Sequence, residues 1–186
     1  YRDLIKPRAE NNEIEKSGVT RALKDRNRFD TLYAAFMAKP LQQPPSPAVL
    51  RHVLVTTLPS VGILRPDDLP EIREEHRSDR ASRQRGGESE ALAALGSFVL
   101  ERGEGYSASI SSPSSAWGNC TRVSPYLTFG HLSLRQLWHA LGAKQVEVRS
   151  LPKGTAGGWP RSLSAAKARL KWRSHFTQKL EDAPEM

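Results

Sequence analysis

The chain has 186 residues, enough for one ordinary domain with some to spare. Only 38% of them are hydrophobic, and 28 Lys and Arg stand against 20 Asp and Glu, a formal charge of +8. No apolar run approaches the roughly 20 residues of a membrane span, so no membrane partner is expected, and the basic balance fits a polyanion such as DNA, whose phosphates release counterions on contact.

Cys120 is the only cysteine. It excludes an intramolecular disulfide, a zinc finger or an iron–sulfur cluster built by this segment alone, and it fits a reducing, cytoplasmic compartment. No metal ligand set is expected. Tyr1-Arg2-Asp3-Leu4 shows neither an initiator Met nor a signal-peptide pattern, and the chain stops soon after a helical stretch. Both ends read as cuts in a longer protein.

In chain order, Val19, Leu23, Phe29, Leu32, Tyr33, Phe36 and Met37 line a helical stripe that Pro40 ends. Pro40, Pro44, Pro45 and Pro47 then mark a linker, since proline fixes φ and lacks an N–H. Leu50 to Leu58 is apolar without an assignable type, and Leu64 to Glu75 reads as a crossing loop. Ala91, Leu92, Leu95, Phe98 and Val99 follow helical spacing, with Gly103 and Gly105 as the stop. Tyr106 to Asn119 reads as a Ser/Pro/Gly-rich loop. Ser124-Pro125 reads as a helix start with Ser124 as N-cap. Ser133 caps the next helix, whose apolar face is Leu134, Leu137, Trp138 and Leu141. Gln145 to Val148 is the one strand candidate in the second half. A last helix is predicted over Ser162 to Glu181.

Two stretches carry chemistry. The first runs Cys120-Thr121-Arg122-Val123-Ser124-Pro125-Tyr126-Leu127. It offers hydroxyls and free backbone N–H groups at a helix start, where the dipole is positive and an anion is welcome. Thr121 and Ser124, three apart, can face one ligand. The plain alternative is a capped helix with no ligand. The second runs Arg169-Leu170-Lys171-Trp172-Arg173-Ser174-His175-Phe176. Residues 151 to 180 hold seven basic residues and no acid. Lys167 and Lys171 form one i, i+4 row, and Arg169 and Arg173 form another on nearly the opposite side. One row should therefore be partly buried, and a buried Arg needs an anion.

Residues 120–135 resemble the Thr-Ser-Arg-Leu-Ser-Pro-Tyr-Leu signature of the cryptochrome/DNA photolyase family. Cys120 stands where Thr is usual, Thr121 where Ser is usual and Val123 where Leu is usual. Cys at that place, with the preceding Arg102-Gly103-Glu104-Gly105-Tyr106 and Ser111-Ser112-Pro113, is similar to the prokaryotic iron–sulfur branch. Residues 169–182 are similar to that branch's Arg-Leu-x-Trp-x-x-His-Phe-x-Gln-Lys-Leu-Glu-Asp. The match covers about residues 86 to 182. Residues 18 to 40 match weakly, and nothing supports residues 48 to 80.

The resemblance implies a mainly α protein: a partial helical FAD-binding domain of the photolyase type at 86–186, a linker at 41–85, and at 1–40 the helical end of an N-terminal antenna-type domain. It implies that Tyr106, Cys120, Thr121, Val123, Ser124 and Arg173 contact FAD. It places Trp172, Lys171 and Arg169 toward damaged DNA, Trp172 stacking on a flipped-out lesion. The competing reading of Trp172 is a core residue packed on Phe176. Arg169 replaces the acid usual three residues before that Trp, which argues against an ordinary pyrimidine-dimer site. An antenna pigment and an iron–sulfur cluster belong, if anywhere, to the full-length parent. No obligate oligomer is implied and no catalytic residue is assigned. His131, His139 and His175 read as structural, and Trp117, Trp138 and Trp159 as packing residues. The implied activity is light-driven electron transfer from reduced flavin to a DNA photolesion. The alternatives are a blue-light photoreceptor on the same scaffold and a decayed product that no longer holds FAD.

Overall fold

The computed structural model of the chain describes residues 26–41, 46, 48 and 83–182. Every regular element among them is helical and no strand is present, so the protein is mainly α. Val19, Leu23, the prolines at 44, 45 and 47, the apolar run 50–58 and the charged run 64–75 lie outside the described residues. The helices are α1 (Arg26–Met37), α2 (Glu88–Leu100), α3 (Tyr106–Ser109), α4 (Pro113–Asn119), α5 (Ser124–Thr128), α6 (Leu134–Ser150) and α7 (Trp159–Asp182), with a 3₁₀ turn at Arg102–Gly105. The described residues up to Pro40 and those from Gly86 onward belong to one compact unit.

The long helices α2, α6 and α7 form because apolar residues recur at three- and four-residue spacing. In α2, Ala91, Leu95 and Phe98 are buried, and Glu88 and Glu90 sit in the first turn, where the dipole favours them. The stripe is narrower than its pattern suggests, since Leu92 remains 47% exposed. In α6, Ser133 accepts from the Gln136 N–H while the Gln136 side chain accepts from the Ser133 N–H, a complete capping box. Leu137, Leu141 and Val148 share its buried face. Gln145 to Val148 is therefore the last part of a helix and not a strand: the helical period carried by Leu137 and Leu141 outweighs the β-branching of the two valines. In α7, Trp159, Leu163, Ala166 and Leu170 are buried. This helix begins at Trp159, three residues ahead of the predicted start.

The stretch from Tyr106 to Asn119 is not a loop. It forms two short helices, and for the first of them the reason lies outside the segment. The Ser107 N–H donates to Ser162 Oγ at 3.0 Å, and Ser162 Oγ donates to the Glu104 carbonyl at 2.6 Å. Ser162 is fully buried on α7, so tertiary bonds hold turns too short to persist alone. Gly103 makes the approach possible, because a Cβ there would lie 2.6 Å from the Phe98 carbonyl and 2.8 Å from Trp159 Cζ3.

Helix α1, assigned from sequence to the end of a preceding domain, packs on α6. Tyr33, Phe36 and Met37 are buried, and Tyr33 meets Trp138 edge-on at 5.6 Å. The carbonyls at the end of α1 lack helical donors. Side chains of α6 supply them: His139 Nε2 lies 3.0 Å from both the Met37 and Lys39 carbonyls, and Arg135 Nη1 donates to Pro40 at 3.2 Å.

Candidate functional site

A cleft of about 520 Å³ opens between the turns after α4 and the facing sides of α6 and α7. That volume falls within the usual range of small-ligand pockets, ~300–1,000 Å³. Tyr106, Thr121, Val123, Ser124, Arg169 and Arg173 all line it. The two stretches singled out in the sequence, some fifty residues apart, thus meet at one site. Leu127, Leu137, Leu141, Ala166 and Leu170 make its apolar wall, and Thr128 stands beside Ser124.

Each lining residue arrives by a local reason. Val123 is 2% exposed and anchors the start of α5 in the core. Ser124 is the first residue of α5, Val123 takes the N-cap place, and no side chain caps the helix. The predicted Ser124 N-cap is thus corrected by one position. Among the described residues the hydroxyls of Thr121 and Ser124 bond to no protein group, whereas Thr128 Oγ1 donates to the Ser124 carbonyl at 3.0 Å. Tyr106 is buried edge-on to Phe98 at 5.6 Å. Burial pushes its phenol pKa up, and the positive charge of Arg169 offsets part of that.

The basic residues of α7 differ in their partners. Lys167 Nζ sits 4.4 Å from the Trp138 ring centroid and donates to Gln145 Oε1 at 2.7 Å. Burial, with help from Arg149, pulls its pKa down. Lys171 pairs with Asp30 at 3.0 Å. The arginine row opens on the cleft, Arg169 exposed and Arg173 half-buried. Neither arginine has a carboxylate at ion-pair distance among the described residues. Partial burial is shared between the rows: Lys167, Lys171 and Arg173 are half-buried and Arg169 is exposed, with the Lys167 stem laid over the Trp138 ring and both guanidinium groups lining the cleft.

Cys120, Lys171 and Trp172 do not line the cleft. Cys120 is half-buried against the core, and its carbonyl accepts from Arg102 Nη1. Trp172 is 54% exposed and leans on Phe176 with ring centroids 5.8 Å apart, so it is not a core residue. Trp117, read as a packing residue, is also exposed and instead carries the Arg122 guanidinium 4.3 Å above its ring. His139 is structural as expected. His175 is exposed, and the buried Nδ1 of His131 has no hydrogen-bond partner among the described residues. Sequence reasoning missed the apolar wall. Leu137, Leu141, Ala166 and Leu170 repeat at helical spacing and so read as core, which they also are. Thr128, four residues after Ser124, was the one polar signal.

Among the described residues no group of His, Cys, Asp and Glu could hold a metal ion, and no helix is long and apolar enough to cross a membrane. In comparisons with protein-family models, curated proteins and solved structures, nothing matches the chain.

Proposed function

We propose that the cleft holds FAD and that the protein is a flavin-dependent, light-driven DNA repair protein of the cryptochrome/DNA photolyase type. The observation that supports this reading is the convergence on one cleft of five of the six residues that the resemblance assigns to FAD, Tyr106, Thr121, Val123, Ser124 and Arg173, joined by Arg169, which the resemblance had turned toward DNA. The donor set suits a dinucleotide. Two unpaired arginines and two unbonded hydroxyls offer charge-assisted hydrogen bonds to phosphate oxygens, and the leucine wall takes a flat apolar surface out of water.

In this reading Thr121 and Ser124 donate to phosphate from one side, and Arg169 and Arg173 neutralise its charge from the other. Tyr106 is a phenol, protonated at physiological pH whatever its surroundings, and burial only raises its pKa further, so its hydroxyl is a donor. Leu137 and Leu141 exclude water from the floor. When bound and reduced, FAD supplies the electron that blue light delivers to a DNA photolesion. Trp172 and Phe176, exposed on the same helix, offer an aromatic face on which an unstacked base can rest. The net charge of +8 favours the phosphate backbone.

Light-dependent repair tests the reading. The chain is loaded with FAD, reduced, mixed with ultraviolet-damaged oligonucleotide and illuminated with blue light. Lesion loss in light and none in darkness is expected. Flavin retained with no light-dependent lesion loss refutes the repair activity and leaves a light-sensing role for the same cofactor.

A further inference from the structure

We infer that Arg122 is a positioning residue of the cleft: stacked on Trp117 in a left-handed backbone turn, it sets how Thr121 and Val123 face the ligand. The inference rests on the reading of the cleft as a FAD site. Arg122 has φ +58°, the one positive φ outside glycine among the described residues. An arginine gains nothing from that conformation by itself, so something else must hold it there. Its guanidinium lies 4.3 Å from the Trp117 ring centroid, and Nε and Nη2 donate to the Trp117 carbonyl at 2.8 and 2.6 Å. That carbonyl belongs to the last turn of α4, where helical donors run out.

The residues on either side of Arg122, Thr121 and Val123, both line the cleft. On the far side of Thr121 the backbone is pinned again. The Cys120 carbonyl accepts from Arg102, which also donates from Nη2 to the Ala94 carbonyl at 3.0 Å and to Ser97 Oγ at 2.9 Å. Thr121 is thus suspended between two arginine clasps. Capping α4 would need only the side chain of Arg122. The left-handed backbone is the part that serves the cleft, because reverting it to an ordinary φ would swing Thr121 and Val123 relative to each other.

The test separates backbone from side chain. Arg122→Ala and Arg122→Gly remove the same guanidinium, but only glycine adopts φ > 0 freely. FAD dissociation constants are read by flavin fluorescence on the full chain, alongside melting temperatures. Arg122→Ala should weaken FAD about tenfold, the size of a modest backbone strain. Arg122→Gly should bind several-fold more tightly than Arg122→Ala and should melt at least as high, since alanine at φ > 0 strains the folded chain. Equal FAD affinities for the two variants would overturn the inference, because a purely structural clasp is lost identically in both. Trp117→Ala provides a second arm should Arg122→Ala not fold. It should weaken FAD although Trp117 does not line the cleft, and unchanged affinity would overturn the inference too. A wild-type chain that takes up no FAD is a separate result, which removes the underlying reading before any variant is compared.

Discussion

Lys171 Nζ lies 3.0 Å from the Asp30 carboxylate and ties the middle of α7 to α1. The pair is partly open to water, with side chains 31% and 59% exposed, so it contributes little: about 0–1 kcal/mol, screened by salt. A double-mutant cycle on Lys171→Ala and Asp30→Ala should return a coupling of that size that shrinks further in high salt. Coupling well above about 1 kcal/mol would show a less exposed contact than the geometry gives.

Trp172 is solvent-facing enough that truncation leaves no cavity. Trp172→Ala should change stability by less than about 1 kcal/mol, in contrast to the ~3–5 kcal/mol of a buried tryptophan. Damaged-DNA affinity should fall by roughly 1–3 kcal/mol, the worth of one base–aromatic stack, with undamaged duplex and bound flavin unchanged. Parallel loss of flavin, both DNA affinities and folding would mean that Trp172 supports the core.

Tyr33 predicts an alkaline weakness. Burial pushes its pKa up to about 12, an effect that Ser174 and the charge of Arg173 only partly offset. The folded state keeps this proton above pH 10 and the unfolded chain releases it. Stability is therefore unaffected by Tyr33 below about pH 10 and falls as pH rises toward 12, by up to about 1.4 kcal/mol per unit. Tyr106, also raised, acts in the same sense. Lys167, lowered, acts in the opposite sense, since its neutral form is the better one to bury. The Tyr33 hydroxyl is buried without a hydrogen bond of good geometry among the described residues. Tyr33→Phe should therefore be neutral or stabilising at pH 7 and should flatten the decline above pH 10 in denaturant titrations. An unchanged decline would place its origin elsewhere.

Where a helix stabilised itself, the sequence showed it. Ser133 with Gln136, and Ala91 with Leu95 and Phe98, announce α6 and α2 through local capping and period alone. Where a segment depends on a distant donor, it did not. The turns at Tyr106–Ser109 rest on Ser162, fifty-five residues away. The same holds for the site. Hydroxyls at Thr121 and Ser124 and arginines at 169 and 173 were legible as anion-binding residue types. Their meeting, and the leucine wall between them, comes from the packing of α7 on α6 and α3. Which partner each row takes was illegible, because Lys167 depends on the ring of Trp138 across the helix pair and Lys171 on Asp30 of α1.

The hydroxyls offer a second handle on the cleft. Thr121→Ala with Ser124→Ala should leave the fold intact, since neither side chain bonds to protein among the described residues. Each hydrogen bond to a charged phosphate should cost about 1.5–3 kcal/mol of FAD affinity. Wild-type FAD retention after purification would remove these two residues from the site.

The central claim is that Arg169 and Arg173 face a bound FAD across the cleft. The direct measurement is FAD titration of the wild-type chain and of Arg169→Gln with Arg173→Gln, at low and high salt. The account predicts saturable uptake by the wild type, affinity lowered at least tenfold in the double variant, and a shallower salt dependence once the two charges are gone. Wild-type affinity and salt dependence in the double variant, or no saturable uptake by the wild-type chain, would contradict it.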